Sequence, residues 1–190
     1  KPDAYFDANW RTDGGSPVMI NLVHDIDTLR FVIGEITETV ALKGRSLRGS
    51  PRIESGAIAL AFENGAVGTI TFSDTTPSPW GFEAGTGENP NIGTTKQDMM
   101  WITGTKGAIS FPSMTVWKGT DWGTSAKPVA FEPAQNTRTP MEAQLDHFVD
   151  VINGDEPLIN VADAASTLAI AQELENQLAA PTFNKATKFA

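Results

Sequence analysis

Between residues 17 and 33 the apolar positions recur three and four apart, so that Met19, Leu22, Ile26, Leu29 and Ile33 fall on one stripe of a helical wheel. Ser16 stands where an N-cap belongs, and Pro17 takes the first helical position, where its missing N–H costs nothing. Gly34 follows where a left-handed C-cap is expected. The spacing therefore predicts a helix over 17–33. Its other side is polar. Asn21, His24 and Asp27 follow at three-residue steps and Thr28 lies four beyond His24, which makes their side chains neighbours. Pro17, Ile20 and Phe31 flank this polar stripe, a pattern that predicts a pocket wall. The ordinary solvated face of an amphipathic helix is the alternative reading of the same residues.

After the helix the period changes to two, from residue 36 to 47 and again from 53 to 72. Ile58, Leu60 and Phe62 alternate with Ala57, Ala59 and Ala61, Glu63-Asn64-Gly65 predicts a tight turn, and Val67 to Phe72 returns as an antiparallel partner. The alanine side of that pair would let a helix or a second sheet pack close. Residues 75–97, rich in Pro, Gly, Thr and Asn but carrying Trp80 and Phe82, read as a long loop that either edges a pocket or is merely mobile. Strand patterns resume at 99–102, 108–111 and 114–118. Gly104-Thr105-Lys106-Gly107 is a hairpin turn there, because it joins strands and lacks the spacing of a phosphate loop. Trp117 and Trp122 read as packing residues.

Two helices close the pattern. Thr139-Pro140-Met141-Glu142 is a capping box ahead of Leu145, Phe148, Val149 and Ile152, with a stop at Asn153-Gly154. His147, beside Asp146 and Phe148, reads as a surface or structural histidine. Asn160 caps the last helix, where Leu168, Ile170 and Leu174 form the apolar stripe. The element order predicts an α+β fold, an open and mostly antiparallel sheet with helices packed on one face. The other face is then available for a homo-oligomer, a dimer or tetramer.

The chain has 190 residues, enough for one domain with a sizeable core. It has no cysteine, which removes disulfides and thiolate metal ligands and fits a cytoplasmic protein; no metal site is read. A formal charge of −9 argues against nucleic acid as partner. No apolar run approaches spanning length and no signal segment opens the chain, so a soluble protein with no membrane partner is expected. Within this frame His24 is the residue with chemistry to offer, since imidazole titrates near neutral pH and suits acid or base work.

The segments Lys1-Pro2-Asp3-Ala4-Tyr5-Phe6-Asp7, Trp10-Arg11, Gly14-Gly15-Ser16-Pro17-Val18 and Ile20-Asn21-Leu22-Val23-His24-Asp25-Ile26-Asp27, with Leu29-Arg30 and Gly34-Glu35, carry a family resemblance. They resemble the carboxy-terminal domain of the glucose-fructose oxidoreductase and inositol dehydrogenase family. Gly87-Glu88-Asn89-Pro90, the turn at 104–107 and the closing helices around 145–148 and 155–158 resemble the same domain, so the likeness covers the whole chain. It implies a two-domain oxidoreductase in which an amino-terminal Rossmann half binds NAD or NADP. Residues 1–190 would be the substrate-binding and oligomerisation domain. No Gly-x-Gly-x-x-Gly follows an opening strand here, so the cofactor belongs mainly to a half this sequence lacks, and this domain alone is expected to be inactive. The family's Glu-Lys-Pro motif, with its catalytic lysine, belongs to that half too; Lys1-Pro2 sits too close to the Gly-Gly turn to be it.

By this resemblance His24 matches the histidine that acts as general base on the substrate hydroxyl, or assists a lysine in doing so. The substrate class implied is a sugar, polyol or related secondary alcohol. Asn21 and Asp27 then position the ring or a sugar hydroxyl, with Trp10, Arg11 and Tyr5 at the pocket rim. Many members carry an aspartate one helical turn before the histidine, where this chain has Ile20. Asn21 or Asp27 can substitute by spacing, but an amide orients a histidine without stabilising its cation as a carboxylate does. Two alternatives stand beside the enzyme: a non-catalytic sugar-binding or regulatory member of the family, and an unrelated α+β oligomerisation module.

Overall fold

The computed structural model describes residues 3–6, 16–49, 52–119, 127–129 and 138–180. A 3-10 turn, Asp3–Phe6, comes first, and a π-helical turn, Val18–Leu22, runs into helix α1, Val23–Ile33. Strands β1 (Ile36–Lys43), β2 (Ser55–Phe62) and β3 (Val67–Ser73) follow, then a short helix α2, Phe82–Thr86. Strands β4 (Met100–Gly104), β5 (Gly107–Phe111), β6 (Val116–Lys118) and β7 (Lys127–Val129) precede helices α3 (Pro140–Ile152) and α4 (Val161–Ala179). The α+β class is as the pattern predicts. Among the described residues, however, the strands make not one sheet but two antiparallel sheets, β1-β2-β3 and β4-β5-β6-β7, in separate compact units.

The first unit takes in residues 1–77 and 158–190. Its helix begins as the sequence predicts, with Ser16 Oγ accepting from the Met19 N–H at 3.2 Å and the Ser16 carbonyl accepting from Ile20 at 3.1 Å. The next turn is π-helical, closed by the Val23 N–H reaching back to the Val18 carbonyl. That wider turn shifts the register by one residue. Val18 and Leu22 reach the core and Met19, placed on the core stripe by an α-helical count, is exposed instead. Ile26 restores the predicted stripe, and Gly34 ends the helix with φ +128°.

The core lies between α1, α4 and one side of the three-stranded sheet. Val18, Leu22 and Ile26 meet Ile58, Leu60, Phe62 and Phe72 from the strands and Ala171, Leu174 and Leu178 from α4. Each large apolar side chain withdrawn there contributes about 1.5–3 kcal/mol. Strand alternation puts the other residues outside: Val40 and Leu42 of β1 lie opposite Ala59 and Ala57 of β2, which face Thr69 and Thr71 of β3, and all six are exposed. Within the described residues of this unit, the sheet is therefore covered on one face and carries exposed side chains on the other.

The second unit spans residues 78–157. Thr105 and Lys106 turn β4 into β5 as expected, while β7 is an addition the pattern did not reveal. The 75–97 stretch is not wholly irregular, for α2 lies within it and the Phe82 ring stacks on Phe111 at 5.7 Å between centroids. The capping box of α3 forms as predicted, Thr139 Oγ1 accepting from the Glu142 N–H and the Glu142 carboxylate from the Thr139 N–H. The apolar residues of α3, Met141, Leu145, Phe148, Val149 and Ile152, are exposed and do not join a core.

Candidate functional site

His24 sits on the first turn of α1. With Ile26 fully buried and Arg30 buried one turn further on, the helix turns its opposite side outward, and His24 and Asn21 are both exposed there. Thr28 is half-buried and its Oγ1 donates to the His24 carbonyl at 2.9 Å, which fixes the threonine against the helix backbone. The imidazole itself makes no hydrogen bond with a described residue. The ring is thus turned away from the hydrophobic interior.

Asp27 takes a different direction from the one its spacing suggests. Its Oδ1 accepts from Thr167 Oγ1 of α4 at 2.7 Å, and Arg30 Nη1 stands 4.0 Å from the same oxygen. Arg30, although buried, is fully employed. It donates to Thr167 Oγ1 at 2.6 Å, to the Asp163 carbonyl at 3.0 Å and carboxylate at 2.9 Å, and with two nitrogens to Glu35 at 2.8 and 3.0 Å. The hydrogen bond to Glu35, helped by Asp163 and opposed by burial, holds the guanidinium above its usual pKa. Asp27 therefore belongs to the joint between α1 and α4, and its carboxylate is directed there.

Asp25, which the sequence reading passed over, lies on the other flank of α1 and is half-buried. Burial pushes its carboxyl above the ordinary aspartate range, against the opposing effects of His24 and its own backbone N–H. Its signal in the sequence was adjacency to His24 alone, which no helical spacing rule selects.

Of the rim residues, Tyr5 is half-buried in the 3-10 turn, edge-to-face with Phe6 at 5.1 Å. Phe6 in turn lies under the guanidinium groups of Arg48 and Arg52, at 4.5 and 3.8 Å. Both arginines bind Asp74, each at 2.8 Å, so this end of the sheet is a charged cluster that seats the turn carrying Tyr5. Trp10 and Arg11 lie outside the described residues. A groove of about 460 Å3 opens beside Leu42, Gly56, Phe72 and Thr75, and none of the predicted site residues lines it. Among the described residues no group of three or more His, Asp or Glu side chains is placed to hold a metal ion. No described helix is long and apolar enough to cross a membrane.

The family model of the GFO/IDH/MocA C-terminal domain matches residues 1–110. The chain belongs to that family. No curated protein matches it. Among solved structures it resembles the WlbA dehydrogenase of Bordetella pertussis in complex with NADH and UDP-GlcNAcA, at 18% identity and a TM-score of 0.65, covering 94% of this chain and 48% of that one. UDP-N-acetylglucosamine 3-dehydrogenase GnnA of Acidithiobacillus ferrooxidans aligns over 89% of this chain and 49% of its own, at 15% identity and a TM-score of 0.61. The aldose-aldose oxidoreductase of Caulobacter crescentus, complexed with glycerol, aligns over 91% and 48%, at 18% identity and a TM-score of 0.62. At these identities the likeness establishes the fold. The chain spans about half the length of each of these structures.

Proposed function

We propose that this GFO/IDH/MocA domain is the substrate-binding and oligomerisation half of an NAD(P)-dependent oxidoreductase that acts on a secondary alcohol of a sugar or polyol. The observation that carries this reading is the placement of His24, exposed on the polar side of a helix whose other side is locked into the core, in a chain of this family. An imidazole so held is free to take a proton from a substrate hydroxyl. Asn21 on the same side supplies an amide for orienting a neighbouring hydroxyl. Tyr5, Trp10 and Arg11 are assigned to the rim, and Asp27 contributes by holding α1 against α4.

The nicotinamide cofactor, NAD or NADP, would accept the hydride from the carbon whose hydroxyl gives its proton to His24. This chain has no glycine-rich turn between a strand and a helix that fits a dinucleotide, so the cofactor is assigned to the other half of the enzyme. The exposed face of β1, β2 and β3 is assigned to contact between copies of the chain. The cysteine-free composition fits a cytoplasmic setting.

A second reading, a sugar-binding or regulatory protein without turnover, is favoured by one specific feature: Ile20 replaces the family's aspartate, and Asp27 is engaged by Thr167. Steady-state kinetics of the full-length enzyme separates the two. For the enzyme, His24→Ala lowers kcat about a hundredfold or more and leaves nicotinamide affinity unchanged. An unchanged kcat removes His24 from the chemistry.

A further inference from the structure

The acidic residues of this chain are, with few exceptions, supplied with donors where they are withdrawn from water. Asp27 accepts from Thr167, Glu54 from Ser46 and Leu47, Asp74 from two arginines, Asp98 from Ser113, Asp163 from Arg30 and Glu175 from Ser16. Asp25 and Glu88 are half-buried carboxylates whose side chains accept no hydrogen bond from another described residue. Glu88 lies in a loop with Glu83 as its charged neighbour, whereas Asp25 follows His24 directly. Among the described residues Asp25 accepts from its own backbone N–H alone, which leaves the rest of a partly buried carboxylate to be satisfied by another donor.

The direction of Asp25 follows from helix geometry. At about 100° per residue, Thr28 lies about 40° and Asp25 about 100° round the helix from His24 in the same sense. Asp27 lies about 60° the opposite way, toward Arg30, which agrees with its bond to Thr167. His24, Thr28 and Asp25 therefore share one side of α1, and Asp27 belongs to the other. Among the described residues no side chain supplies that donor, which leaves the place to a ligand group. Thr28 Oγ1 already donates to the His24 carbonyl and so is not that donor, and a substrate hydroxyl is of the right kind.

We propose that Asp25 is a substrate-binding residue, accepting a hydrogen bond from a hydroxyl of the polyhydroxy substrate adjacent to the hydroxyl that His24 deprotonates. This rests on the oxidoreductase reading above. No bond is made or broken at Asp25; it binds the ground state and the transition state of one ring position.

The test uses the full-length enzyme and nicotinamide reduction with D-glucose, D-galactose, myo-inositol and UDP-N-acetylglucosamine, followed by the monodeoxy analogues of whichever is oxidised fastest. In the unaltered enzyme, removal of the hydroxyl that Asp25 holds raises KM by about tenfold to a hundredfold, the loss expected when a charged acceptor keeps no partner. Asp25→Ala raises KM for the complete substrate by a similar factor but no longer distinguishes it from that one deoxy analogue. Asp25→Asn, which keeps the shape, gives the same loss of discrimination and serves if the alanine variant does not fold. An equal loss on every analogue marks Asp25 as merely structural and overturns the proposal, as does no loss at all. Failure of His24→Ala to lower kcat, or the absence of nicotinamide reduction with the whole panel, instead overturns the oxidoreductase reading beneath it.

Discussion

Thr167 Oγ1 donates to Asp27 Oδ1 at 2.7 Å and accepts from Arg30 Nη1 at 2.6 Å, so one hydroxyl of α4 joins an acid and a base of α1. Thr167 and Arg30 are both buried, which makes this joint a fixed point of the helix that carries His24. Replacing Thr167 by valine keeps the volume and removes both bonds. It leaves a buried guanidinium short of an acceptor, a cost of about 1–3 kcal/mol. Arg30→Met removes the whole hub and costs about 3 kcal/mol, at the low end for a broken buried ion pair, since Glu35 and Asp163 are part-exposed and rehydrate. Urea denaturation reads both losses, and a Thr167→Val midpoint equal to the unaltered protein shows the joint to be dispensable.

How far the sequence reveals this arrangement depends on whether the determinant is local. The Ser16 cap, the Thr139 capping box, the 63–65 turn and the alternation of β2 are local, and all are found where the pattern places them. The π turn is not marked by any residue type, and it moved Val18 inward and Met19 outward. Spacing alone made Asp27 a neighbour of His24. Its engagement by Thr167, 140 positions away, is invisible to any local count. The same holds for the partners of Arg30, a base in the last turn of α1 that is a buried hub. Helical spacing names who can meet on one helix, but the partner on another helix decides which way each side chain turns.

Glu54 offers a test by pH. It is buried at the base of β2; burial alone would raise its pKa, but the N–H groups of Leu47 and Arg48, the Ser46 hydroxyl and the nearby Arg48 charge outweigh that, and hold the carboxyl below the usual range. A carboxyl lowered on folding stabilises the protein above its unfolded pKa, near 4.3 for glutamate, and that stabilisation disappears as pH falls through the folded value. Glu54→Gln is therefore destabilised by about 1–3 kcal/mol at pH 7, with the gap to the unaltered protein closing as the solution is acidified below pH 4. A gap that stays constant over that range would show that the charge of Glu54 contributes nothing.

The open side of the first sheet makes a prediction about assembly. Val40 and Leu42 are 63% and 56% exposed beside Ala57 and Ala59, an apolar strip across β1 and β2. Contact between copies would bury it, and a charge at its centre would leave an unpaired carboxylate in the interface. Ala59→Glu is expected to convert an oligomer to a monomer in sedimentation velocity, while thermal stability of the separated chain changes by less than about 0.5 kcal/mol, as for an exposed position. A monomer already present before the substitution would remove this face from assembly.

Gly56 and Gly65 test packing against backbone conformation. A Cβ built on Gly56 would stand 2.9 Å from the Leu42 carbonyl oxygen and 2.9 Å from two carbons of the Phe72 ring, so alanine there must push apart β1 and the core side of β3. Gly65 instead has open space about it, but its φ of +85° is one that side chains disfavour. Gly56→Ala is expected to cost about 1–3 kcal/mol through overpacking, and no choice of larger residue relieves it. Gly65→Ala costs about 1 kcal/mol through backbone strain, and Gly65→Asn recovers most of that because asparagine tolerates the left-handed region. Denaturant midpoints of the three variants separate the causes: recovery by asparagine at 65 is the mark of conformation, and an equal loss for alanine and asparagine there would place the cost in side-chain contact instead.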